Sequence, residues 1–278
     1  METEIQEILS KNNYDIYDLI KIVKILRSEN GCPWDKVQTH KSIRNDFLEE
    51  VYEVIEGIDM DNSEMLREEL GDVLLQVIFH TQIETESNNF NFNDVTNDIC
   101  KKLIVRHPHV FGDVNANNVD TVLQNWDAIK KETKGQQSYT DTLKSVPKVF
   151  PALMRAQKLG KRASRAGMDF EGTDDCFESL KSEVAELEEA LKANNQKAAE
   201  EELGDLLFSC ANMARKIGAD AEQLLYNASE KFLNRFEEAE NLIRHDGLDM
   251  TTLSINDLNK YWDEAKIKVR KNESIKDS

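Results

Sequence analysis

Apolar residues recur at helical spacing along most of the chain. Leu48, Val51, Tyr52, Ile55 and Ile58 form one such series, and Leu66, Leu70, Val73, Leu74 and Val77 form another. Recurrence at i, i+3 and i+4 marks one face of a helix, whereas a half-buried strand would alternate every second residue. No convincing alternating run occurs, so the expected class is all-α. The pattern predicts helices near 14–28, 43–59, 63–86, 92–106 and 119–133, then near 151–163, 175–193, 196–217, 219–245 and 255–270.

The second set repeats the first. EEVYEVIEG from Glu49 aligns with SEVAELEEA from Ser182, and REELGDVLL from Arg67 aligns with EEELGDLLF from Glu200, both at an offset of 133 residues. KKLIVRH then aligns with EKFLNRF, which places Lys102 on Lys231 and Arg106 on Arg235; WDAIKKE aligns with WDEAKIK, which places Trp126 on Trp262 and Lys130 on Lys266. Conserved order across four blocks points to a duplicated module rather than to chance likeness between acidic helices. Lys134 to Pro151 carries Gly, Ser, Thr and two prolines between helical patterns, which is linker chemistry. The expected division is therefore 1–138 and 139–278.

Composition narrows the class further. Gly and Pro number only 11 and 4 in 278 residues, and the net charge is −18. Such a surface lacks the clustered Lys and Arg that neutralise nucleic-acid phosphates, and it would be repelled by an anionic membrane. It can still take an anionic ligand if divalent cations stand between the two sets of charge. Cys32, Cys100, Cys176 and Cys210 show neither CxxC spacing nor a partnering His pattern, so a reducing cytoplasm is the expected home. The N-terminus has no basic and apolar leader pattern, and no run of about 18 apolar residues would span a bilayer.

The acidic residues are unevenly placed. Between Arg44 and Arg67 there is no basic residue, while Asp46, Glu49, Glu50, Glu53, Glu56, Asp59, Asp61 and Glu64 are all acidic. Like charges one turn apart weaken a helix, and a merely solvated face usually interleaves Lys. If the second and third predicted helices fold back around residue 60 or 61, Glu53 and Glu69 each lie about 8 residues from the turn, roughly 12 Å along their helices. They then face each other, with Glu50 opposite Asp72 one turn further on. The second copy places Glu186 opposite Glu202 and Glu183 opposite Asp205. Four carboxylates on two rungs suit Mg²⁺, with Mn²⁺ as a substitute, and leave coordination positions for water and phosphate oxygens. A di-iron carboxylate bundle would need Glu-x-x-His pairs, and no histidine follows a glutamate at that spacing.

These residues give the chain a specific likeness. EExxE followed by ExxD (Glu49, Glu50, Glu53, then Glu69, Asp72), the stretch GCPWDKVQTH, the run RHPHVFGDV and, in the second half, ALMRAQKLGKRA, NMARKIGADAE and EKFLNRF together resemble the tandem-domain MazG family. That family belongs to the all-α NTP pyrophosphatase superfamily, and the likeness covers nearly the whole chain. It implies two tandem helical bundles that hydrolyse nucleoside triphosphates between the α and β phosphates, with broad specificity and a nucleotide-clearing role. It implies Glu50, Glu53, Glu69, Asp72, Glu183, Glu186, Glu202 and Asp205 as metal ligands, with the general base among Glu50, Glu53, Glu183 and Glu186. It implies Lys231, Arg235, Trp262 and Lys266 as nucleotide contacts, with Lys102, Arg106, Trp126 and Lys130 as their counterparts. It also implies a homodimer, since the superfamily commonly encloses its acidic site by dimerising.

Two departures stand out. Ser182 occupies the place of the first Glu in the second EExxE, and GMDF from Gly167 stands where the first module has GCPW. Competing readings are a narrower dUTP or phosphoribosyl-ATP pyrophosphatase, and a helical regulatory protein with vestigial metal sites that binds a protein partner. Relatives of the narrower enzymes are usually single modules, and carboxylates intact in both copies speak against wholesale decay.

Overall fold

The computed structural model of the chain describes residues 2–112 and 138–276, the last five of these by backbone alone. Every regular element among the described residues is helical. The first set is α1 (Glu2–Leu9), α2 (Ile16–Arg27), α3 (Arg44–Asp59), α4 (Ser63–Glu86), α5 (Phe92–Arg106) and the single turn α6 (Pro108–Phe111). The second set is α7 (Tyr139–Lys144), α8 (Ala152–Arg165), α9 (Thr173–Lys192), α10 (Gln196–Lys216), α11 (Ala221–His245) and α12 (Ile255–Lys276). The helix expected over 119–133, with Trp126 and Lys130, lies outside the described residues. Helices α1, α6 and α7 were not expected, and α12 runs six residues beyond the predicted end. The chain separates into two compact units, Met1–Lys130 and Lys131–Ser278.

Helix starts follow from short polar side chains. Asn62 caps α4 by accepting from the Glu64 and Met65 amides, Asn91 caps α5 in a reciprocal box with Asp94, and Asn195 caps α10. These bonds satisfy amides that the first helical turn leaves without an intrahelical partner. The two long hairpins, α3–α4 and α9–α10, reverse in the same way. Asp61 and Asn194 both adopt the left-handed backbone at φ 51°, each followed by the asparagine that caps the next helix. Asp and Asn tolerate this conformation better than other non-glycine residues. The shared offset of 133 residues therefore extends from side chains to backbone geometry.

In the first unit, Val23 of α2 and Ile78 and Phe79 of α4 are buried with Ile43, with Leu19, Ile20, Leu75, Ile83 and Phe92 packed around them. In the second, Ala211, Ala214 and Ala221 are covered by Leu153 and Ala156, so small residues bring α8, α10 and α11 close together. Gly160 continues that contact: a Cβ there would stand 2.2 Å from the Asn212 side-chain oxygen. The apolar series of α3 behaves differently, because Leu48, Val51, Tyr52, Ile55 and Ile58 are all exposed in the single chain.

The GCPW loop is tied down from two sides. The Arg27 guanidinium pairs with both oxygens of Glu86 on α4 (2.9 and 2.8 Å) and donates to the Asp35 and Gln38 carbonyls. His40, the last residue of the quoted stretch, bridges His80 and Glu84 on α4 at 2.7 and 2.6 Å. Gly31 is required at the loop's entry, since any Cβ would lie 2.2 and 2.3 Å from the Ile25 and Leu26 carbonyl oxygens.

Candidate metal centre

Each hairpin gathers carboxylates on its facing sides. In the first, single carboxylate oxygens of Glu50, Glu69 and Asp72 all lie within 4.8 Å of one another. Glu53 completes the group, standing close enough to Glu69 to push its carboxyl up. In the second, oxygens of Glu183, Glu186 and Glu202 meet the same limit, and Asp205 is near enough for its charge to act on both Glu183 and Glu202. The helix pairing that brings Glu53 to Glu69, and Glu186 to Glu202, is the one expected from counting residues to the turn.

The electrostatics record the crowding. Burial, then the charges of Asp72 and Glu53, push the Glu50 carboxyl above the usual carboxylate range. Burial, then the hydrogen bond and charge of Glu53, do the same to Glu69. In the second hairpin, burial followed by Glu186 and Asp205 raises both Glu183 and Glu202. Carboxylates held together with no cation among them are mutually destabilising, and a divalent ion reverses the sign of that interaction. The donor set is all oxygen, which suits a hard cation such as Mg²⁺ and offers no nitrogen or sulfur to select a softer one.

The implied nucleotide contacts sit on other helices. Lys231 and Arg235 lie on α11; Lys231 is exposed, and the buried Nε of Arg235 has no hydrogen-bond partner. Trp262 of α12 packs against Phe232 at 5.2 Å between ring centroids, beside Phe236. Lys266 is engaged by Asp263 at 2.6 Å. Among the described residues no hydrogen bond or ion pair joins this set to the carboxylates of α9 and α10. In the first unit Lys102 is exposed on α5 and Arg106 is half-buried at its end.

Several polar residues around the carboxylates were not expected from the sequence. Ser182 donates to Glu186 Oε1 at 2.9 Å, and buried Ser209 stands beside Glu183, drawing its carboxyl down against the larger upward push of burial, Glu186 and Asp205. In the first unit Gln76 stands at the position of Ser209, and its buried Oε1 has no partner. The only signal for these was helical spacing: Ser182 precedes Glu186, and Ser209 follows Asp205, by four residues each.

Comparison with known proteins agrees with this geometry. The MazG nucleotide pyrophosphohydrolase domain matches the chain twice, over residues 38–111 and 172–239, so that each match contains one hairpin cluster. A nucleoside triphosphate pyrophosphohydrolase/pyrophosphatase MazG of Thermotoga maritima is 41% identical over 249 residues, covering 90% of this chain and 94% of that protein. A nucleoside triphosphate pyrophosphohydrolase of Escherichia coli strain K12 is 42% identical over 251 residues, covering 89% and 95%. The uncharacterized protein YabN of Bacillus subtilis is 40% identical over 249 residues, which are 88% of this chain and 50% of that one. With both hairpins matched and more than 40% identity across nearly the full length of two relatives, the chain belongs to the MazG family as a tandem, all-α member.

Proposed function

We propose that the chain is a nucleoside triphosphate pyrophosphohydrolase, dependent on Mg²⁺ or Mn²⁺, that cleaves between the α and β phosphates to give a nucleoside monophosphate and pyrophosphate. The observation that carries this reading is the doubled carboxylate cluster, three oxygens within 4.8 Å on each of two matched hairpins. Two relatives of nearly the same length, at 41% and 42% identity, bear the name of that activity.

Glu50, Glu53, Glu69 and Asp72, and in the second module Glu183, Glu186, Glu202 and Asp205, would hold the cations. Bound there, a divalent cation supplies charge screening for the polyphosphate and acidifies water. One of Glu50, Glu53, Glu183 or Glu186 would accept the proton of the attacking water, a role for which a carboxyl raised by burial is better matched to neutral pH than an ordinary one. Lys231, Arg235 and Lys266 would balance phosphate charge. Trp262, packed at a tilt against Phe232, offers a flat apolar face for a base. Lys102, Arg106, Trp126 and Lys130 are the corresponding set of the first module. A wide range of NTPs and dNTPs, and a nucleotide-clearing role, complete the proposal.

We further assign the two modules to 1–138 and 139–278 and the assembly to a homodimer. Exposed Leu48, Val51, Tyr52, Ile55 and Ile58 on α3 support the latter, being a continuous apolar series that a second copy would cover. The four free cysteines are in keeping with a reducing, cytoplasmic setting, and no described helix is long and apolar enough to cross a membrane.

The deciding experiment is hydrolysis in ¹⁸O-labelled water with Mg²⁺, followed by phosphorus NMR. The expected products are NMP and pyrophosphate carrying one labelled oxygen between them. NDP and orthophosphate as sole products would overturn the reading.

A further inference from the structure

Ser182 looks like a loss, because it removes a carboxylate from the second EExxE. The surroundings say otherwise. In the first module the residue at this place is Glu49, which is exposed, and its charge adds to those that push Glu50 up. In the second module no such charge acts on Glu183 from residue 182; instead the Ser182 hydroxyl donates to Glu186 Oε1 at 2.9 Å.

A hydroxyl can donate to a carboxylate without adding charge, whereas a carboxylate at the same place cannot donate at all. Glu186 thus has a donor that fixes one oxygen and leaves the other free, and Glu49 offers its counterpart Glu53 no such bond.

We propose that Ser182 is a positioning residue that holds Glu186 in ligand geometry through its 2.9 Å hydrogen bond, an arrangement that Glu49 at the same place in the first hairpin cannot make. This rests on reading the clusters as cation sites, as above. Pre-orienting an ionised ligand by a hydrogen bond is the way outer-sphere partners tune metal affinity generally, and it needs no contact with the metal.

The test is Mn²⁺ binding to the full-length protein, followed by the electron paramagnetic resonance signal of free Mn²⁺, in an E69Q background so that the second site dominates. Ser182→Ala is expected to weaken binding about ten- to a hundredfold, the range for removing the hydrogen-bonding partner of a metal ligand. Ser182→Thr, which keeps the hydroxyl, should restore it. Thermal melts of each variant check that the fold is kept. Unchanged affinity in Ser182→Ala, or a loss that Ser182→Thr does not repair, overturns the positioning role. Glu202→Gln is the separate control: if it leaves Mn²⁺ binding intact, the cation reading of the cluster fails, and the proposal with it.

Discussion

His40 sits between two unlike partners, and its protons follow from them. Its Nε2 lies 2.6 Å from Glu84 Oε1, where a carboxylate can only accept, so the Nε2 proton belongs to His40. The Nδ1 to Nδ1 contact with His80, 2.7 Å, then holds a single proton, donated by His80 when His40 is neutral. Burial first, and the charge of His40 second, push His80 below its ordinary value of 6.5. A group whose folded pKa is depressed stabilises the fold above its unfolded pKa, and the contribution is lost as pH falls through the folded one. The window is therefore below about 6.5. Glu84, depressed by Asn89 and His40, acts in the same direction only below 4.5. Comparing melts of the parent and His80→Gln from pH 7.5 to 5.5 should show the parent losing more of its stability on acidification. Equal slopes would remove His80 as the cause. Gly31→Ala is a sharper lesion at the same loop: a Cβ 2.2 Å from a backbone oxygen cannot be accommodated by rotating a side chain. A loss of about 1–3 kcal/mol is expected, in the range of overpacking lesions, read by urea denaturation.

At the scale of elements, each hairpin concentrates like charge that its own helices do not neutralise. Replacing one carboxylate by its isosteric amide should therefore stabilise the metal-free protein while removing a ligand. For Glu202→Gln the expected pattern in thermal melts is a higher Tm in chelator and a smaller rise on adding Mg²⁺ than the parent shows. A lower Tm in chelator would mean that Glu202 contributes more through packing than it costs in repulsion. The two hairpins can be told apart by turnover. Glu186→Gln with Glu202→Gln is expected to reduce kcat by on the order of a hundredfold or more, since several kcal/mol of transition-state charge stabilisation depends on the cation. Glu53→Gln with Glu69→Gln should leave most of it. The reverse result would move catalysis to the first module.

These hairpins were also the most legible part of the sequence. Long amphipathic helices and a constant offset point the same way, so α3, α4, α9 and α10 could be placed closely. The turns α1, α6 and α7 are too short to show a period, 8, 4 and 6 residues respectively, and escaped notice for that reason. Ser182 was read as an absent carboxylate because residue type alone does not say whether a hydroxyl faces solvent or the glutamate one turn on.

For the whole molecule, hydrophobic periodicity identified the apolar face of α3 but not what covers it. Residues Leu48 to Ile58 form a regular stripe, yet in the single chain they remain exposed. A homodimer is the expected remedy. Light scattering should report about twice the chain mass of 31.9 kDa, and Ile55→Asp, an exposed position, should shift the distribution toward monomer without unfolding the chain. A parent that stays monomeric at all micromolar concentrations would refute this.

The matched left-handed turns at Asp61 and Asn194 carry one more consequence. Residues 49–72 and 182–205 have equal length, reverse at the same step and are followed by the same capping residue, Asn62 or Asn195. They can therefore be transplanted as cassettes without altering the rotation of the flanking helices, which a single inserted residue would change by about 100°. A chain carrying the 182–205 cassette in both places is expected to melt cooperatively and to bind Mn²⁺ more tightly at its first hairpin than the parent does. The same exchange would put Ala185 and Glu188 in place of Tyr52 and Ile55, so the chimera would also weaken self-association. Duplication has left this protein with interchangeable parts, and their differences can be read one substitution at a time.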